Sequence, residues 1–200
     1  MKELVFALLT TVLLAGTVHA LDLGDMGVPV ARTPYDASFA GVRKVLARSS
    51  RRSSLSEVQG LLREARVFRY AKMAPFAPQP PALTEQTQAG DCKAKSLWMA
   101  SRMRDPRVRV VVGKLRAGKK ESHMWLMWRA GRVWWVLDPT VQWEPTLAST
   151  VGAKDWIALY SYTRSGALIH AAATRTAATR SSAVSIASRM PVHPKRGPLR

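Results

Sequence analysis

The chain has 200 residues, enough for one ordinary domain. Its formal net charge is +18, from 31 Lys and Arg against 13 Asp and Glu, which points toward anionic partners. Hydrophobic residues make up 47%, which excludes a wholly disordered chain, and a single cysteine excludes both an internal disulfide framework and a multi-cysteine zinc site.

Residues 1–20 carry Lys2, an apolar run from Leu4 to Leu14, and Val18-His19-Ala20 at the end. This is the layout of a cleavable secretory signal. The apolar run is shorter than the roughly 20 residues that span a bilayer, so an uncleaved anchor is the weaker alternative. The expectation is an exported protein, periplasmic or secreted, with no membrane span after signal removal. Residues 21–35 hold Gly24, Gly27, Pro29 and Pro34 and read as a linker. The next stretch, 37–48, suits a short helix capped by Asp36. Ser54 and Glu57 form a capping box ahead of Leu55, Val58, Leu61, Leu62 and Ala65, whose spacing predicts a helix over 55–69.

Four prolines between Pro75 and Pro81 make 72–83 extended and non-helical. Composition turns helical again from Cys92 to Met103, and the helix must stop near Asp105-Pro106. Val108 to Val112 predict a strand closed by Gly113. His123–Trp128 and Val133–Leu137 predict two aromatic-rich strands joined by a hairpin loop at 129–132, and 157–162 suits a last strand. Residues 164–200 lack any acidic residue and read as a basic, disordered tail. Helices followed by antiparallel strands make an α+β class, with the folded domain at 36–163.

Chemistry centres on Cys92. An odd cysteine in an exported chain pairs with another molecule, reacts, or is buried and inert. Asp91 is a good N-cap, so Cys92 falls in the first helical turn, where backbone N–H groups and the helix dipole favour a thiolate. Lys93 and Lys95 add positive charge. A thiol nucleophile needs a base, and the base an orienting group. His19 leaves with the signal and His170 and His193 lie in the tail, so only His123 stands in a predicted structured element. An even hairpin loop puts Trp128 opposite Val133, Leu126 opposite Trp135 and His123 opposite Asp138. Opposed Cβ atoms are about 5 Å apart, within reach of a carboxylate–imidazole bond. An odd loop would turn Asp138 to the other face. Taken singly, His123 could be an ordinary strand histidine and Asp138 a turn-forming Asp-Pro.

The run Gly90-Asp91-Cys92-Lys93-Ala94-Lys95-Ser96-Leu97 resembles the nucleophile motif of the transglutaminase-like superfamily. Ser122-His123-Met124-Trp125 resembles its histidine strand, and Val136-Leu137-Asp138-Pro139-Thr140 its aspartate strand. The chain is most similar to the bacterial transglutaminase-like cysteine peptidases, over about residues 85–163. The resemblance implies a papain/transglutaminase-like core with N-terminal helices packed on a small antiparallel sheet. It implies Cys92 as nucleophile, His123 as general base and acid, Asp138 as orienter of His123, and no cofactor. Some members carry an acidic residue linked to calcium just after the cysteine. Here Lys93 stands there, so no metal site is expected. Gln86, six residues before Cys92, matches the spacing of a papain-type oxyanion glutamine and is otherwise a loop residue.

The implied reaction is acyl transfer on a protein or peptide substrate. Hydrolysis of peptide or amide bonds is the first expectation, protein-glutamine transamidation the second, and a non-catalytic cationic binding module on the same scaffold the third. The basic tail suits an anionic envelope polymer or lipid surface. No helix-turn-helix, zinc-finger or RNA-binding signature supports specific nucleic-acid recognition.

Overall fold

The computed structural model describes residues 27–74, 76–116, 119–152 and 155–174. Its frame is one antiparallel sheet of seven strands, in the order β1-β9-β8-β4-β5-β6-β7. The strands are β1 (Gly27–Val30), β4 (Val108–Leu115), β5 (His123–Ala130), β6 (Val133–Leu137), β7 (Thr146–Leu147), β8 (Trp156–Thr163) and β9 (Gly166–His170). Four helices precede or interrupt them: α1 (Ala40–Ala47), α2 (Leu55–Val67), α3 (Pro81–Thr87) and α4 (Cys92–Met103). A separate parallel ribbon joins β2 (Arg69–Tyr70) to β3 (Ala89–Gly90).

The period of two along each strand sorts side chains onto two faces. Val110 and Val112 of β4 and Met124, Leu126 and Trp128 of β5 face the helices, where they meet Phe39, Leu62, Trp98 and Met103. Val111, Trp125, Met127 and Val136 pack on the opposite face against Ala148 and Val151. The helix α4 lies at the centre, with ten of its twelve residues buried. Its polar side chains are partnered accordingly. Lys95, 1% exposed, donates to the Phe68 and Arg66 carbonyls at the end of α2, and Ser96 donates to the Met124 carbonyl at 3.1 Å. Burial, with the Arg66 charge adding to it, pushes Lys95 down to about 8.

Local signals account for most element ends. Ser54 accepts from the Glu57 N–H at 3.2 Å, the first half of a capping box. The second half is absent, because the Glu57 carboxylate turns to Arg51. Asp91 caps α4 by accepting from the Lys93 and Ala94 N–H groups at 3.0 and 3.2 Å. Asp105 stops the chain after α4 by tying the Ser53 N–H (2.9 Å), the Trp128 indole (3.0 Å) and Arg107 into one buried knot.

Four readings of the sequence are corrected. Residues 27–30, taken as linker, form the edge strand β1, which tolerates Pro29 because an edge strand leaves one side of its ladder unpaired. Residues 166–170, taken as tail, form β9 between β1 and β8, and the folded domain therefore runs past 163. Asp36 does not cap α1. It accepts from Thr33 and Arg43 in the preceding turn, and α1 starts at Ala40. The proline-rich stretch ends in α3, because Pro81 takes a first-turn position where its missing N–H costs nothing. The signal at 1–20 and the tail beyond 174 lie outside the described residues. Among the described residues no helix is long and apolar enough to cross a membrane.

Candidate active site

The first turn of α4, the start of β5 and the end of β6 converge. Cys92 opens α4 and is 6% exposed. His123 opens β5, with 14% of its side chain exposed, and Asp138 follows β6 with none. The His123 Nε2 lies 2.6 Å from Asp138 Oδ2. The Cys92 side chain stands near enough to the same ring to favour its charged form.

The hairpin that joins His123 to Asp138 is in a different register from the one predicted. Trp128 faces Trp135 and Leu126 faces Leu137, because the loop is the two residues Gly131 and Arg132. Gly131 has φ +61, a conformation favoured for glycine at the first position of a two-residue hairpin loop. The slip is by two residues, so both faces are preserved. Asp138 thus reaches His123 diagonally. Thr140, in the turn after β6, stands with its Oγ1 3.5 Å from Nε2.

Asp138 is held on all sides. Its Oδ1 accepts from the Thr140 N–H at 3.0 Å and the Thr140 hydroxyl at 2.5 Å. Its Oδ2 accepts from the Trp156 indole at 3.2 Å. Its own N–H donates to Gln142 Oε1 at 2.7 Å. Burial raises this carboxyl, but bonds from His123 and Thr140 outweigh it and hold the group below the usual carboxylate range. Burial likewise lowers His123, but Asp138 and Cys92 outweigh that, and the imidazole is pushed up to about 10. The site therefore favours imidazolium flanked by two groups able to carry negative charge.

Neighbours that the sequence did not single out complete the setting. Trp156 and Gln142 orient Asp138, and neither has a local motif to mark it. Thr140 belonged to the recognised strand motif, where Asp-Pro-Thr suits a side-chain-capped turn. Gly113, paired with His123 across β4 and β5, has no room for a side chain, since a Cβ would lie 2.0 Å from the Ile157 carbonyl oxygen and 2.6 Å from the Trp125 ring. Trp125 in turn stacks on His123 with centroids 6.1 Å apart. Tyr70 is exposed beside Gly90, and burial and the charges of Cys92 and Asp91 push its phenol up. Lys93 pairs with Asp91 and lies over the Phe76 ring at 5.1 Å. Gln86 is exposed on α3. Among the described residues no cluster of three or more His, Cys, Asp or Glu is arranged to hold a metal ion.

Solved structures share this architecture. Calcium-bound LapG of Legionella pneumophila superposes with a TM-score of 0.50 at 13% identity, over 69% of this chain and 81% of that one. The fold is transglutaminase-like. A second structure of LapG covers 64% of this chain and 76% of its own at 15% identity, with a TM-score of 0.48. No protein-family model and no curated protein matches the sequence. Within the transglutaminase-like fold, the expected helix-on-antiparallel-sheet layout holds, and the sheet is larger than the small one expected.

Proposed function

We propose that this protein is an exported cysteine hydrolase that cleaves peptide or amide bonds of protein or peptide substrates. The observation that supports the reading is the grouping of Cys92, His123 and Asp138, in which His123 is bonded to the Asp138 carboxylate at 2.6 Å and Cys92 acts on the charge of the same ring. In the first half-reaction the Cys92 sulfur attacks the substrate carbonyl carbon. As the C–N bond breaks, the leaving nitrogen takes the imidazolium proton of His123 and departs as an amine, leaving a thioester on Cys92. In the second half, neutral His123 removes a proton from water, which attacks the thioester. The product leaves as a carboxylic acid and the thiol–imidazole pair is restored.

Asp138 keeps the ring oriented and stabilises its charged form, and Trp156 and Thr140 keep Asp138 in place. The Asp91 carboxylate takes the N–H groups of Lys93 and Ala94, which leaves the N–H of Cys92 for the developing oxyanion. Gln86 is the candidate second donor. Calcium is assigned no step, because Lys93 already neutralises Asp91 next to the nucleophile.

Mass spectrometry of an unstructured protein incubated with the chain tests the reading. New termini bearing free carboxylates are expected with the native protein and none with Cys92→Ala. Incorporation of an added primary amine in place of hydrolysis would make the enzyme a transamidase. Absence of both products, with no thioester trapped on Cys92, would leave a non-catalytic scaffold.

A further inference from the structure

A cavity of about 790 Å³ opens between α1, α3 and α4, and none of Cys92, His123 and Asp138 lines it. Its floor is apolar, formed by Val45 and the buried Leu97, and prolines of the segment leading into α3 make one wall. Lys44, Arg48 and Arg104 face it and are exposed. Among the described residues none of these three forms an ion pair, whereas the one carboxylate in the lining, Glu85, is already paired with Arg102 at 3.0 Å. Cations near the C-terminal ends of α1 and α4 stabilise those helices, but that role does not require them to share a recess with an apolar floor.

We propose that this recess is a docking groove for an acidic segment of a polypeptide substrate in which apolar side chains alternate with carboxylates. The inference rests on the peptidase reading of Cys92 and adds a second point of attachment to it. Three uncompensated cations call for carboxylates, and the apolar floor calls for Leu- or Val-like side chains between them. No aromatic ring lines the cavity, so nothing there would stack nucleic-acid bases. A recess walled by prolines and helices fits an extended chain better than a bilayer, which needs a protruding apolar surface. Distance is compatible with one substrate. Arg104 lies about 18 Å along α4 from Cys92 at the helical rise of about 1.5 Å per residue. An extended peptide covers that in about six residues at roughly 3.3 Å each.

The test is fluorescence anisotropy of a labelled octapeptide of alternating Leu and Glu, titrated with full-chain Cys92→Ala protein at low salt. Binding to this variant does not depend on turnover, so failure here is separable from failure of the hydrolase reading. Charge reversal in the groove, Lys44→Glu with Arg48→Glu, is expected to weaken binding at least about tenfold. An equal reversal outside it, Arg32→Glu with Arg132→Glu, is expected to change it less than about twofold. Near-ultraviolet circular dichroism confirms that both variants keep the native fold. Equal loss in the two double variants would reduce the effect to diffuse charge and overturn the proposal. Unchanged peptide binding in the groove variant would overturn it too, and loss of binding only to phosphatidylglycerol vesicles would make the groove a lipid site instead.

Discussion

His123 is an ordinary strand residue made unusual by what flanks it. Its folded pKa of about 10 stands above the free value near 6.5, so between those limits the folded state binds more protons than the unfolded one. The contribution to stability is complete below pH 6.5 and is lost as pH rises through about 10. For the proposed reaction the same sign means that the imidazolium which protonates the leaving amine survives well above neutrality. The pH profile of kcat/KM is expected to stay level from pH 7 to about 9, with its alkaline limb near 10. Asp138→Asn removes the carboxylate that raises the ring. It is expected to move that limb down by at least about one pH unit and lower kcat at least about a hundredfold. An alkaline limb near 7 in the native protein would contradict the imidazolium assignment. The element termini that carry Cys92, His123 and Asp138 were legible in the sequence because each is marked by local chemistry: a capping aspartate, the onset of an aromatic strand, an Asp-Pro. Trp156 was not, since its indole reaches Asp138 from β8, far along the chain and without a spacing rule.

At the level of elements, the site depends on β4, β5 and β8 approaching closely where Gly113 sits. The ladder between β4 and β8 shifts register at Val112/Gly113, and the glycine lets the Ile157 carbonyl press in. Gly113→Ala is expected to cost about 1–3 kcal/mol through overpacking, read as a lower urea midpoint with an unchanged slope. Gly60 supplies the contrast. It lies exposed inside α2 with nothing within 4 Å of a built Cβ, so Gly60→Ala is expected to stabilise by about 0.5–1 kcal/mol. The sequence announced α2 and α4 through caps and spacing, and the parity of the β5–β6 hairpin through its even loop. It did not announce the two-residue slip, because the two alternative even loops, 130–131 and 131–132, preserve the same inside–outside pattern and both place Gly131 where a positive φ is accepted.

For the whole molecule, the parts least legible in sequence are the strands that close the sheet. β1 and β9 are short, the first contains a proline and the second sits in a basic Ala- and Ser-rich stretch, so composition argued for linker and tail. Pairing orders them in turn: β9 adds to β8, and β1 adds to β9. That places His170 in the interior at 4% exposure, its Nε2 3.0 Å from Ser161 Oγ. Burial, with the Arg109 charge adding to it, pushes this ring down to about 4. The unfolded chain binds its proton near 6.5, so stability falls as pH drops from 6.5 toward 4. Urea midpoints at pH 7 and 4.5 are expected to differ by less in His170→Gln than in the native chain. The same molecule has one cysteine, so any thiol label reports on Cys92 alone. The most direct test of the account is therefore the rate of Cys92 alkylation by iodoacetamide at pH 7 in native protein and in His123→Ala. A fall of at least about tenfold in the variant is predicted, because the sulfur loses the cationic ring beside it. Equal rates would mean that His123 does not activate the sulfur, and the catalytic account would fail.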